Sequence, residues 1–232
     1  MNQVAWLISC EHASNAVPKE FGIKIPKEIL DTHRGYDIQA KLIVEKLYKK
    51  INTLSFLSVL YLGNFSRLLI DLNRPLESKS LFSEFTRYSN KQVFLLKIHK
   101  HYWDQIEAWV FKRLQSNNNY VVHLAIHSFT PIWKGKLRNT DIGILFHPKS
   151  HIEKKLANQM RMKIKQEWPE GKIYFNRPYS GSSPCLPNYL REKFSNQFLG
   201  FEIEFKNDLN KKEISKVLKG IKNFIFDLKS IE

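Results

Sequence analysis

The chain has 232 residues, 43% of them hydrophobic, with sixteen Phe and a formal net charge of +15. That length suits one large domain or two small ones, and no linker, internal repeat or low-complexity tract divides it, so a single domain over 1–232 is expected. No run approaches the roughly 18 apolar residues of a membrane span, the short apolar start lacks the basic flank of a signal peptide, and two cysteines cannot make a disulfide scaffold; a reduced, cytoplasmic setting with no membrane partner is the expectation.

The positive charge invites a nucleic-acid reading. Its distribution argues otherwise: Lys41, Lys46, Lys49 and Lys50, or Lys211, Lys212, Lys216 and Lys219, fall on polar faces of helical segments, where solvated charge belongs. No basic stripe alternates with aromatics. A positive field that draws small anions to a cleft fits better.

In chain order, residues 3–10 read as a buried strand and 37–50, with Ile38, Leu42, Ile43 and Leu47 at helical spacing, as an amphipathic helix. Residues 55–61 read as a strand and 66–73, "SRLLIDLN", as the next, stopped by Pro75. Residues 76–90 are polar and irregular, and 91–115 are helical. Residues 120–127 form a strand bordered by "SNNN", and 141–146 another. A helix spans 150–168, closed by Pro169 and Gly171. A short strand covers 172–176, a turn-rich stretch 178–188, a strand 198–205 and a closing helix 211–229. Strands alternating with helices predict an α/β fold, its central sheet mixed and largely parallel, with helices on both faces. Ligands of such sheets bind at the carboxyl ends of the strands.

Three strands end in chemistry-bearing residues. The first delivers Cys10, Glu11 and His12, another His127 and Ser128, and the last carries Glu202 and Glu204. Zinc takes imidazole and carboxylate ligands, and a catalytic site keeps about three of them with one position open to water. A lone His at a strand end would be an ordinary cap. Two at equivalent ends, beside carboxylates, point to a metal. His123, four residues before His127 on the same face, is expected deeper, in the core or behind the ligands. His99 and His101 are read as solvated. In "THRGYD" Asp37 opens the helix as an N-cap or serves as a third ligand. In "SRLLIDLNRP", Arg67 and Arg74 bracket the strand; a guanidinium fork with the Asn73 amide suits a carboxylate. Glu202 and Glu204 alternate with Phe201, Ile203 and Phe205 and share one face, where one could act as general base. There is no G-x-S-x-G elbow and no Gly-rich phosphate loop.

Taken together, "SCEHASNAVP", "HRGYD", "SRLLIDLNRP", "IHSFTP", "DIGILFHP", "NRPYSG" and "FEIEFKNDL" resemble, in this order, the N-formylglutamate amidohydrolase family. The resemblance implies a fold related to zinc carboxypeptidases and aspartoacylase, a three-layer α/β/α sandwich. It implies metal-dependent hydrolysis of an N-acyl, above all N-formyl, amide on an acidic amino acid, with formate as one product. His12 and His127 would be ligands of Zn2+ or another divalent metal, with Asp37 or Glu11 beside them. Glu204 would be the general base, with Glu202 its rival. Asn73 and Arg74 would grip the substrate carboxylate, Arg67 would stabilise the oxyanion, and Ser128 would orient the site. The related carboxypeptidases place a Glu three residues after the first His. Here that residue is Asn15, a poor zinc ligand grouped with the substrate-binding residues, which leaves the middle ligand open among Asp37, Glu11 and Asn15. The alternatives are a carboxypeptidase or amidase acting on a peptide or cell-wall fragment, and a non-catalytic relative.

Overall fold

The computed structural model describes residues 3–54, 56–115 and 119–228. In chain order its elements are β1 (Gln3–Cys10), α1 (Lys27–Leu30), α2 (Ala40–Asn52), β2 (Ser58–Leu62), α3 (Gln92–Arg113), β3 (Asn119–Phe129), β4 (Ile132–Trp133), β5 (Lys136–Leu137), β6 (Ile142–Leu145), α4 (His151–Glu167), β7 (Ile173–Phe175), α5 (Leu186–Phe194), β8 (Phe198–Lys206) and α6 (Lys211–Asp227). Six strands form one sheet in the order β2-β1-β3-β8-β6-β7; β6 runs antiparallel to β8 and every other pairing is parallel. The fold is the expected α/β sandwich. Ser55 and Lys229, which the expected strand 55–61 and helix 211–229 include, and residues 116–118 of the bordering "SNNN" lie outside the described residues.

The two faces of the sheet follow from strand alternation. Trp6, Ile8 and Cys10 of β1, Val122, Leu124 and Ile126 of β3, and Phe201, Ile203 and Phe205 of β8 are fully buried on one face, against apolar residues of α2, α4 and α6. Trp6 meets Phe224 of α6 edge-on, ring centroids 6.0 Å apart. The other face carries Ala5 and Leu7, then Val121 and Phe198, covered by α3 and α5. Continuing towards the strand ends, this second face turns polar: Ser9, His123, His127, Glu202 and Glu204 are all buried there. One face is therefore pure core, and the other changes from core to site along the strand direction. The long helices are anchored by sequence-local caps. The Ser150 side chain accepts from Glu153 N, and Asn210 and Glu213 form a capping box at the start of α6.

Several expectations need correction. Residues 66–73 form no strand. Leu68, Leu69, Ile70 and Leu72 are buried, but the backbone runs through turns, with Leu69 N donating to Ser66 O and Arg74 N to Asp71 O. Side chains of this segment take up the local backbone groups: Leu68 N donates to Ser66 Oγ and Asn73 N to Asp71 Oδ1. Such bonds compete with a sheet ladder. Helix α2 starts at Ala40 after Gln39 in the left-handed conformation, so Asp37 is not its cap. Helix α5 starts inside the stretch read as turn-rich, 178–188, and runs on to Phe194 through residues for which no element was expected. Its Pro187 lies in the first turn, where the missing N–H costs nothing. A two-residue turn, Lys134-Gly135, both with positive φ, closes the unexpected β4–β5 hairpin.

Candidate active site

A cavity of about 180 Å3 opens where β3 and β8 end, and His12, Asp37, His127, Glu202 and Glu204 all line it together with Arg67, Asn73 and Arg74. Register puts the acids there: His127 pairs with Glu204 and Ala125 with Glu202. His12 follows the end of β1 by two residues. Glycines allow the tight approach on either side. A Cβ on Gly63 would lie 1.8 Å from the Glu11 carbonyl oxygen, and one on Gly143 2.0 Å from that of Arg177 and 3.2 Å from Glu204 Cβ.

The two imidazoles converge, with ring centroids 5.1 Å apart. His12 donates through Nε2 to Asp71 Oδ1 (2.7 Å), and its Nδ1 lies 3.4 Å from Asp37 Oδ2. His127 donates through Nδ1 to the same Asp37 oxygen (2.8 Å). Its Nε2 stands 3.1 Å from Glu11 Oε2, an ion-pair contact off the line of a good hydrogen bond. Both rings thus present Nδ1 to Asp37 and rest Nε2 on a different carboxylate. Ligand atoms of His12, Asp37 and His127 lie within 4.8 Å of one another, all three buried. Asp37 is held by the cavity wall: Arg67 donates to its Oδ1 (3.2 Å) and Ser128 N to its Oδ2 (3.3 Å), while Ser128 Oγ donates to Ile38 O (2.7 Å).

Burial governs the electrostatics. Five carboxyl groups, Glu11, Asp37, Asp71, Glu202 and Glu204, crowd this region, all buried, and the guanidinium groups lining the cavity are Arg67 and Arg74. Burial would raise Glu11, but the imidazole of His127 against its carboxylate brings it down to about 2. Asp37 and Asp71 likewise overcome burial, through the two imidazoles for Asp37 and through His12 and Arg67 for Asp71, and stay well below the usual carboxylate range. His127, carboxylates at both nitrogens, is pushed well above an ordinary imidazole against its burial. Glu204 goes the other way: burial, reinforced by Asp37 and Glu202 and opposed by His127, lifts it to about 8. Its Oε2 is buried with no hydrogen-bond partner among the described residues.

The donor set fits a divalent cation. Two imidazoles and a carboxylate are the ligands a zinc ion takes, each ring has an outer carboxylate that fixes its orientation, and a buried excess of negative charge needs a counter-ion. The proton shared by His127 Nδ1 and Asp37 is one the metal would displace.

Not every expected residue is in place. Asn15 is outside the group; its amide donates to Asp31 near the surface (2.8 Å), so it neither binds a metal nor reaches the cavity. Glu11 sits on the outer nitrogen of His127, with Tyr102 donating to its other oxygen (3.2 Å), behind the ring and apart from the three converging ligand atoms. Glu202 accepts from Asn73 Nδ2 (2.8 Å) and is thereby tied down, unlike Glu204. Asn73 Oδ1 accepts from Leu186 N, and Arg74 donates to Pro184 O (2.9 Å), so both bridge to the 178–188 stretch. Arg67 spans Asp37 and Asp71. His123 is in the core as expected, sharing a 2.7 Å hydrogen bond with Ser9. His99, read as solvated, is buried and bonds the Arg74 carbonyl (2.7 Å), while Trp103, one helical turn on, donates to Leu72 O (2.7 Å). Sequence reading missed Asp71; a lone acid inside the apolar run "LLIDL" was its signal.

The family model of N-formylglutamate amidohydrolase matches residues 4–210. Among solved structures, a gene product of Agrobacterium tumefaciens, Atu2144, aligns at 26% identity over 97% of this chain and 88% of its own, with a TM-score of 0.73. N-formylglutamate amidohydrolase from Ralstonia eutropha JMP134 aligns at 14% identity over 99% of this chain and 94% of its own, with a TM-score of 0.64, a likeness of fold. No curated protein sequence matches significantly.

Proposed function

Because the chain belongs to the N-formylglutamate amidohydrolase family, hydrolases of an amide bond, we propose that it cleaves the N-acyl amide of an acidic amino acid, N-formylglutamate being the first substrate to test. The observation that carries this reading is the convergence of His12, Asp37 and His127, with Nδ1 of both rings turned to Asp37 Oδ2, beside Glu204, whose Oε2 has no hydrogen-bond partner among the described residues.

His12, Asp37 and His127 would hold the divalent cation. The chemistry such an ion supplies when bound is polarisation of the acyl carbonyl and acidification of a water. The remaining work falls to the chain. Glu204 lines the cavity, and the positive charge of a cation held there would favour its carboxylate form, which would accept a proton from an acidified water. The new C–O bond forms at the acyl carbon, the C–N bond breaks, and the proton held on Glu204 passes to the departing nitrogen. Arg67, fixed by two carboxylates and lining the same cavity, supplies positive charge near the carbonyl oxygen. Arg74 and Asn73 present a guanidinium and an amide for the substrate carboxylate. Glu202, engaged by Asn73, positions that amide and is left out of the proton transfer.

The test is formate release from N-formyl-L-glutamate by protein stripped with a chelator and then reloaded with zinc. Release restored by zinc supports the proposal. No formate from zinc-loaded, folded protein rejects it.

A further inference from the structure

One guanidinium near the site has no acidic partner. Arg138, which follows the β4–β5 hairpin, is half-buried, and among the described residues no carboxylate lies within ion-pair distance of it. Its guanidinium carbon lies 5.5 Å from the ring centre of Phe129, 5.2 Å from that of Trp133 and 5.2 Å from that of Tyr179. Nη1 donates to Thr130 O and Tyr179 Oη, both at 3.3 Å, long and weak contacts that use one nitrogen. Three rings therefore hold the charge in place without neutralising it. Arg67, by contrast, already spends both terminal nitrogens on Asp37 and Asp71.

Its position joins this charge to the reaction. Tyr179 lines the cavity with Ser128 and Glu204. Phe129 and Thr130 directly follow His127 and Ser128. Trp133 reaches across to His33, ring centroids 6.2 Å apart, on the turn that leads to Asp37. Arg138 thus lies just outside the cavity lining, its guanidinium in contact with Tyr179, which lines it.

We propose that Arg138 is a specificity-determining residue, which receives a second carboxylate, carried on the side chain of the acyl amino acid, while Asn73 and Arg74 take the first. This rests on the amidohydrolase reading of the same cavity. A dicarboxylic substrate would then bridge wall and rim, and a substrate with a neutral side chain would leave the rim guanidinium unused. A planar fork caged by aromatic rings suits a carboxylate with two parallel hydrogen bonds; a lysine at the same place would keep the charge and lose the fork.

The experiment compares N-formyl-L-glutamate with N-formyl-L-glutamine, which differ at the distal group alone, on zinc-loaded wild type, Arg138→Gln and Arg138→Lys. The expected result is a fall in kcat/KM of roughly 10- to 100-fold for N-formylglutamate with Arg138→Gln, mainly through KM, a smaller fall with Arg138→Lys, and little change for N-formylglutamine. Equal losses on both substrates would make Arg138 a structural residue and overturn the proposal, as would unchanged preference. If the wild type releases formate from neither, the amidohydrolase reading fails first. If it releases formate from both and discriminates by less than about twofold, that reading stands and this one falls.

Discussion

Glu202 and Glu204 share a strand, a face and near-complete burial, yet their neighbours give them different work. The first is clamped by Asn73, and the second is left with an unpartnered oxygen. Glu204→Gln should lower kcat by at least about 100-fold with a small change in KM, within the usual range for a general base. Glu202→Gln should act more through KM, because its partner is the Asn73 amide; steady-state kinetics on both variants would expose the reverse pattern. Tyr102 is the residue behind a residue: it steadies Glu11, which faces His127 Nε2. Tyr102→Phe should weaken zinc binding, measured against a competing chelator, by roughly tenfold. His123 offers a separate test of burial. Its folded value is driven to about 4, chiefly by desolvation, from an ordinary 6.5. Between those values the unfolded chain binds a proton that the fold refuses, so stability falls as pH drops below 6.5 and the loss is complete by about 4. Urea titrations of His123→Gln and wild type from pH 7 to 4 should show a shallower acid decline in the variant; parallel curves would mean that His123 is protonated in the fold.

At the scale of elements, α3 does more than cover the sheet. His99 and Trp103, one turn apart, bond the carbonyls of Arg74 and Leu72 and so hold the segment that carries Asp71, Asn73 and Arg74. Trp103→Phe removes one such bond and should cost about 1 kcal/mol of stability. Its larger effect should be a rise in KM, since the Asn73–Arg74 pair loses its support; a stability loss with unaltered KM would show that the segment holds itself. This arrangement also explains what could be read from sequence. Strands β1 and β3 were legible from their apolar runs, as a parallel sheet buried on both faces demands, and β8 from the alternation of Phe201, Ile203 and Phe205 with Glu202 and Glu204. The 66–73 segment has the same apolar content and obeys a different logic: its Ser66, Asp71 and Asn73 side chains capture backbone groups locally, and its burial is supplied by a helix whose contact no spacing reveals. His99 was misjudged for the same reason, because its partner is a carbonyl 25 residues away. His12, His127 and Glu204 were legible as strand endings, whereas the roles of Asp71 and Tyr102 rest on partners, His12 and Glu11, that are 59 and 91 residues away.

Across the whole molecule, the parallel order β2-β1-β3-β8 puts the carboxyl ends of its central strands at one edge, and the residues that follow β1, β3 and the 66–74 turns meet there. No helix among the described residues is long and apolar enough to cross a membrane. The chain carries a net charge of +15, and its cavity is lined by both acids and the guanidinium groups of Arg67 and Arg74. A field of that sign favours the approach of anions, and kcat/KM for an anionic substrate should fall as ionic strength rises. The account as a whole stands on one cation held by three side chains from separate parts of the chain. An anomalous-scattering map at the zinc edge, from crystals of the zinc-loaded protein, tests it most directly. The account predicts one strong peak per chain, bonded to Nδ1 of His12, Nδ1 of His127 and the Asp37 carboxylate. A peak bonded elsewhere, or none at that site in protein saturated with zinc, would contradict it.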